Sequence, residues 1–411
     1  MKVALINTVD YGSTGKIMLQ IAQTCRDDGV EAYTFSRRWK NNSTPCEGHK
    51  YFGYLYENIF HRIVGPTLCL GERLSVFGTR QLVKELKRIS PDIIHLHNLH
   101  GWFINLPILM KYIKKSGVPV VWTLHDCWSF TGGCPYFTVS KCEKWKTGCF
   151  ACPTYKDYPE TSFDNTKSMW KKKKEWFSTI DNLTIVTPSQ WLADLARQSF
   201  LGHHTEKVIN NGIDLSVFKP VESDFRVKYG CENKKIILGV SFAWGYRKGL
   251  DVFSELASRL DPKKYQIVLV GMSEDVAKTL DKNIISINKT NDQHELVQLY
   301  STADVFVNPT REENYPTVNM EAIACGTPVI TFATGGSPEI LGDNCGSVVA
   351  CDDIQALEQE IIRVCEEKPY SQQDCIEKAQ SFDKNVKFEQ YVELYKSLID
   401  DGLKGTCNDK K

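Results

Sequence analysis

Short apolar runs alternate along the chain with amphipathic stretches, the rhythm of βα units around parallel sheets. VALINT (3–8) opens the series, and a glycine-containing turn then leads into a predicted helix over about 16–28. DIIHLH (92–97) and VPVVWTLH (118–125) each read as a strand running into a polar end. NLTIVTPS (182–189) is a further strand before a helix that begins near Gln190, and VINNGIDLSVFKP (208–220) has the Asn-Gly and Pro punctuation of a linker. Beyond it the pattern restarts with KIILGVS (235–241), YQIVLVG (265–271), DVFVNP (304–309) and TPVITFA (327–333), with helices between them. The last periodic stretch, about 383–403, carries Val386, Tyr391, Leu394, Tyr395 and Leu398 and has no strand after it.

This pattern predicts two doubly wound, Rossmann-like α/β domains facing a cleft, with ligand at the carboxyl ends of the strands. The first domain covers 1–214 and the second 215–385, and the helix 386–411 packs back toward the first. A length of 411 residues is too great for one ordinary core and suits two. Apolar residues at 42% and charged residues at 24% are globular proportions, not those of a disordered chain. Lys plus Arg balances Asp plus Glu at 50 each, so no overall field draws the chain onto nucleic acid, and any membrane contact must be a local patch. The opening apolar run is too short for a signal peptide, and no run of eighteen apolar residues exists to span a bilayer. The expected location is the cytoplasm, where most of the fifteen cysteines would be reduced.

The sharpest chemical signal is NPTREENYPTVNMEAIACGTPVI (308–330). Asn314 or Tyr315 can cap a helix whose first position suits Pro316, and the free amides around Thr317, Val318 and Asn319 form an anion site for a pyrophosphate. Glu313 lies in the loop just before it, and Glu321 eight residues on, where carboxylates can hold sugar hydroxyls. With Gly335, Gly336, Pro338 and Glu339 behind it, this segment resembles glycosyltransferase family 4, which has the GT-B fold and a retaining mechanism. The resemblance extends over nearly the whole chain, taking in the early glycine loop, the His that ends VVWTLH, the NNGID linker and the Arg-Lys-Gly of YRKGLD. It implies that Glu313 contacts the donor sugar and Glu321 the ribose.

Four further features bear on that expectation. Gly12, Ser13, Thr14 and Gly15 form a phosphate or acceptor loop after the first strand, although Ser13 and Thr14 stand where the family usually has a glycine. Lys248 and Arg247 are placed to neutralise a departing diphosphate. The family's second Arg is missing, for Phe242, Ala243 and Trp244 stand there, and Arg247 is the candidate substitute. His125 ends its strand at the cleft and is expected near the reaction centre, not as a general base, since in the proposed retaining mechanism the leaving phosphate helps deprotonate the acceptor. His95, His97 and His100 of HLHNLH approach a metallo-hydrolase pattern, but Leu99 occupies its Asp position and no later His set completes it. The Asp352-Asp353 pair lies in a loop or helix start, and no convincing D-x-D motif points to catalytic Mg²⁺.

Five cysteines cluster in the insertion 127–153. Cys134, Cys142, Cys149 and Cys152 have metal-knuckle spacing, and a structural zinc is favoured over an iron–sulfur cluster, a disulfide pair or unrelated thiols. The same insertion occurs in a subset of similar sugar transferases. MWKKKKEWF (169–177) and YFGYLYENIFHRIVG (51–65) add basic and aromatic patches suited to an anionic membrane, against the plainer reading of solvated helix faces. The combined expectation is a cytoplasmic transferase, peripheral to the inner membrane face, taking a nucleotide sugar (UDP favoured) and a saccharide or lipid-linked acceptor for surface polysaccharide or capsule. No cofactor is required for catalysis. The alternatives are a nucleotide-sugar epimerase of the same fold, a metal-dependent hydrolase using the histidines, and a zinc-ribbon nucleic-acid binder, which leaves the second domain unexplained.

Overall fold

The computed structural model describes residues 1–39, 47–290 and 292–408. Its chain divides into two compact units, Met1–Asn210 with the segment from Asn385 onward, and Asn211–Lys384.

The first unit is built on seven strands: β1 (Lys2–Ile6), β2 (Glu31–Arg37), β3 (His49–Phe52), β4 (Ile93–Leu96), β5 (Val120–Thr123), β6 (Leu183–Thr187) and β7 (Thr205–Val208). They lie in the order β3-β2-β1-β4-β5-β6-β7, all parallel. Strands β4, β5 and β6 are buried at every position, which is why they read as unbroken apolar runs in the sequence. The apolar runs do not disclose β2, β3 and β7. Strand β2 buries Thr34 and Ser36, whose hydroxyls bond the two ring nitrogens of His49 on β3 at 2.8 and 3.1 Å, and β7 is a largely exposed edge strand.

The C-terminal helix Lys384–Asn408 completes this unit. Phe388, Tyr391, Val392, Leu394 and Tyr395 are buried in one cluster with Val3, Leu5, Ile17, Met18, Ile21 and Val121. Val386, expected on the apolar face, is exposed, because the buried face runs through 388, 391, 392 and 395 and leaves 386 outside it.

The second unit carries β8 (Lys235–Val240), β9 (Tyr265–Val270), β10 (Ile284–Ile287), β11 (Val305–Asn308), β12 (Val329–Phe332) and β13 (Gly346–Val349). Their order is β10-β9-β8-β11-β12-β13, again all parallel. Each sheet reverses its winding once, between β1 and β4 in the first unit and between β8 and β11 in the second. In doubly wound sheets the loops leaving such a point diverge to opposite faces and open a crevice for ligand.

Candidate active site

In the second unit, the switch point brings two predicted residues together. Lys248 ends the short 3₁₀ turn Tyr246–Lys248 after β8, Glu313 follows β11, and the Lys248 Nζ is in direct hydrogen-bonded contact with Glu313 Oε2. Glu313 Oε1 accepts from the amide of Asn314 at 3.1 Å. Burial opposes its charge, but the Lys248 ammonium and its hydrogen bond, helped by Arg247, outweigh that and hold the carboxyl below the ordinary range. Arg247 itself is exposed and donates from Nη1 to the Glu312 carbonyl at 3.1 Å.

What fixes these two loops is Arg311, whose role no local sequence signal discloses. Its guanidinium, only 6% exposed, forks onto both carboxylate oxygens of Asp251 at 2.8 and 2.7 Å. It also donates from Nε to Asp352 at 2.7 Å and lies 3.8 Å over the ring of Tyr246. Asp353, the other half of the acidic pair, caps the helix Ile354–Glu367 through the Ala356 amide. Gly335 is needed at its place: a Cβ there would stand 1.7 Å from the Glu313 carbonyl oxygen, and its φ of +56° is left-handed.

The helix behind Glu313 begins one residue later than expected. Its span is Thr317–Ala324, with Pro316 in extended backbone as the capping residue, and neither Asn314 nor Tyr315 is the cap. Asn314 is buried, and Tyr315 belongs to the core of this unit. Thr317 and Val318 are half-buried, while the Asn319 amide is already bonded to the Pro316 carbonyl at 3.2 Å. Glu321 is half-buried and its Oε2 accepts from the buried Tyr300 hydroxyl at 3.0 Å.

In the first unit, Gly12, Ser13, Thr14 and Gly15 do not form a loop. They are the first turn of the helix Gly12–Asp27, which starts four residues before the expected boundary. Gly15 packs so closely that a Cβ would lie 2.5 Å from the Asp10 carbonyl carbon, so its role is steric. Thr14 lines a cavity with Thr8, Asn98 and His100 at the β1/β4 switch point.

The histidines form a row, not a metal cluster. His95 bonds the Tyr395 hydroxyl at 2.6 Å through Nδ1 and Thr123 Oγ1 at 2.8 Å through Nε2. His97 Nδ1 meets His125 Nε2 at 3.0 Å with the rings stacked, and His97 Nε2 is buried with no protein partner. His100 instead bridges Asp126 (2.9 Å) and the Tyr158 hydroxyl (3.2 Å). Burial is the main force that lowers the pKa of His95 to about 3 and that of His125 to about 4, and it takes His97 down as well.

All four knuckle cysteines, Cys134, Cys142, Cys149 and Cys152, are free thiols lining one small cavity between Trp145 and Thr166. The Cys149 sulfur accepts from the Gly132 amide at 3.1 Å. Among the described residues, however, no three His, Cys, Asp or Glu side chains stand as a group able to hold a metal ion. The basic run is also not a uniformly solvated face. Lys173 is 1% exposed, donates to the Trp128 carbonyl at 2.6 Å and sits 3.5 Å over the Trp128 ring, and burial brings its pKa down to about 7. Lys171 and Lys174 remain exposed.

A family model described as Glycosyltransferase Family 4 matches residues 14–217, and one described as Glycosyl transferases group 1 matches 221–382. Over 295 residues the chain is 28% identical to the putative colanic acid biosynthesis glycosyl transferase WcaC of Escherichia coli, covering 69% of this chain and 71% of that protein. It is 25% identical over 328 residues to an uncharacterized protein in the cps region of Klebsiella pneumoniae, covering 77% and 82%. Among solved structures, sucrose-phosphate synthase of Thermosynechococcus elongatus aligns with a TM-score of 0.72 at 19% identity, over 97% of this chain and 99% of that one. Anabaena HepE in complex with UDP-glucose aligns at 0.67 and 15%, over 97% and 100%.

The histidine row makes the first unit acid-sensitive. A folded pKa held below the ordinary 6.5 means that the unfolded chain binds the extra protons. The stabilisation is complete above pH 6.5 and is lost as pH falls toward 4. Thermal melts should show the midpoint dropping steadily from pH 7 to 4.5, less steeply in His97→Gln. A flat profile across that interval would refute the neutral, buried assignment.

Proposed function

From the premise that this chain belongs to the family 4 glycosyltransferases of GT-B fold, we propose that it transfers a sugar, with retention, from a nucleotide sugar (UDP favoured) to a saccharide or lipid-linked saccharide acceptor in surface polysaccharide synthesis. The observation that carries this reading is the Lys248–Glu313 pair at the switch point of the second unit. A lysine ammonium has three donors, and Glu313 occupies one, so two remain for phosphate oxygens. Arg247 and the Thr317 and Val318 amides add positive potential where charge collects as the diphosphate departs. Glu313, ionised at neutral pH, accepts from sugar hydroxyls, and Glu321 from the ribose. His125 lies uncharged at the acceptor side and hydrogen-bonds substrate, and the departing phosphate takes the acceptor proton.

Membrane contact is part of the proposal, because the helix Leu55–Thr67 is inverted. Its polar residues point inward: Glu57 accepts from the amides of Phe77 and Gly78 at 2.8 Å each, and His61 bonds Ser75 Oγ and the Gly71 carbonyl. Its apolar residues Tyr56, Ile59, Phe60 and Ile63 point outward at 67%, 37%, 55% and 64% exposure, joined by Leu68 and Phe77. Between residues 54 and 80 both acidic side chains, Glu57 and Glu72, are buried, whereas Arg62 and Arg80 are exposed. An apolar stripe flanked by these two arginines is suited to an anionic lipid surface. The stripe supports the reading that this transferase works as a peripheral protein at the cytoplasmic face of the membrane.

Structural zinc on the four cysteines is likewise a proposal. Four free thiols share one cavity in a segment with little regular structure, and a tetrahedral ion that drew them in would staple it.

Three measurements follow. Nucleoside diphosphate release should be seen with one member of a panel of UDP-, GDP- and ADP-sugars, accelerated by an acceptor and reduced at least ~100-fold in Glu313→Ala; if no nucleotide sugar is bound or turned over, the transferase reading fails. Elemental analysis of protein grown with zinc should find about one zinc per chain, lost in Cys149→Ser/Cys152→Ser. Iron instead would assign a cluster, and no metal would sink the staple. The protein should co-sediment with phosphatidylglycerol vesicles more than with phosphatidylcholine vesicles. Phe60→Asp/Ile63→Asp should abolish this without lowering the melting temperature, and retention of binding would discard the stripe.

A further inference from the structure

His97 and His125 stand at the ends of neighbouring strands, His97 directly after β4 and His125 shortly after β5. Their rings are nearly parallel, 14° apart, with His97 Nδ1 3.0 Å from His125 Nε2. We propose that His97 is a positioning residue: its Nδ1–H donates to His125 Nε2 and so fixes His125 as the tautomer that carries its proton on Nδ1. The proposal rests on the transferase reading only in placing His125 against substrate.

Two neutral imidazoles hold one proton each, and a contact between two ring nitrogens at hydrogen-bond distance needs one proton between them. Both rings are neutral at pH 7, because burial brings the His125 pKa down to about 4 and takes that of His97 well below the ordinary range. Either His97 donates from Nδ1 or His125 donates from Nε2. The second arrangement puts the His97 proton on Nε2, which is buried with no partner. An N–H enclosed without an acceptor forfeits its bond outright, whereas a bare ring nitrogen can rest against C–H groups. The first arrangement is therefore the stable one, and it leaves the His125 proton no site but Nδ1.

The surroundings hold His97 to this task. Its backbone N–H donates to the Ile6 carbonyl at 2.9 Å, and its carbonyl accepts from the Trp122 indole at 2.8 Å, so β1 and β5 fix it from both sides. The His95 ring, 4.1 Å away between centroids, has both nitrogens engaged by the Tyr395 and Thr123 hydroxyls and cannot serve His97 Nε2. Thr123 is tied in turn to the Tyr391 hydroxyl at 3.1 Å. Asp126, next in the chain to His125, accepts from the Trp128 amide at 2.8 Å and meets His100 Nε2 at 2.9 Å.

The consequence for the reaction is a division of labour within one ring. With its basic nitrogen engaged by His97, His125 has only a donor left in Nδ1–H, which suits a hydroxyl or phosphate oxygen. It can orient and polarise such an oxygen, but it cannot remove the acceptor proton.

The test is ring-nitrogen NMR on the full-length protein labelled with ¹⁵N-histidine, with the His125 signals identified by their loss in His125→Gln. At pH 7 the parent should show a protonated Nδ1 and a bare Nε2 at His125. A proton on Nε2, or one shared between the two nitrogens, overturns the proposal. His97→Asn should keep the tautomer, because its amide nitrogen stands where Nδ1 stood and donates in its place, while His97→Leu should release it into a mixture. An unchanged tautomer in folded His97→Leu also overturns it. With whichever donor the nucleotide panel identifies, kcat should stay within about threefold of the parent in His97→Asn and fall at least ~10-fold in His97→Leu, with the donor KM unchanged in both. Equal loss of kcat in the two variants, each melting as the parent does, would overturn it as well. The NMR arm needs no turnover, so a silent donor panel would sink the transferase reading while the tautomer is still decided.

Discussion

The geometry around Lys248 and Glu313 depends on one buried guanidinium. Arg311 leaves β11 and is held by Asp251 at the start of the helix after β8 and by Asp352 beyond β13, so loops from three strands meet on a single side chain. Its planar fork satisfies both Asp251 oxygens at once, which a lysine could not do. Lys248 and Glu313 lie just outside this junction, and their pairing inherits its rigidity. Because Arg311 is nearly inaccessible and its partners are about half exposed, the charges are balanced without a fully dry ion pair.

The two units reach the same solution by different chemistry. Each gathers polar residues at the point where a parallel sheet reverses its winding, and the polar side chains inside the strands, such as Thr34, Ser36 and His95, are hydrogen-bonded within the unit. In the second unit the point is occupied by the Lys248–Glu313 ion pair. In the first it holds uncharged imidazoles deep in the sheet and arginines nearer its rim, a gradient from neutral to cationic along one set of strand ends.

Much of the fold could be read from the chain because parallel strands buried on both faces announce themselves as apolar runs, as β4, β5, β6 and β12 do. Strand β2 was hidden because its inward hydroxyls are satisfied by a histidine from the neighbouring strand, a partnership invisible before the pairing is known. Glu313 and Lys248 were legible from motif and spacing, and their contact follows from topology. Arg311 looked like another surface charge in a polar segment, and nothing local discloses its burial. The segment around Tyr51 to Gly65 is recognisable as aromatic and basic, but that its helix turns the apolar side outward depends on the contacts of Glu57 and His61 with the start of the helix Val76–Ile89. Lys173 is hidden for the converse reason: in a run of four lysines, only packing against Trp128 distinguishes the buried one.

The first unit is not contiguous in the chain, and this governs the order in which it can be made. Tyr391 meets Thr123 across 268 residues and Tyr395 meets His95 across 300. Until the last helix leaves the ribosome, His95 lacks its Nδ1 partner and the apolar face around Leu5, Ile21 and Val121 lies uncovered. The nascent first unit must therefore persist with an open core while the whole second unit is synthesised and folds. That makes the second unit the natural early domain, and gives late truncations an effect on the first out of proportion to the residues removed.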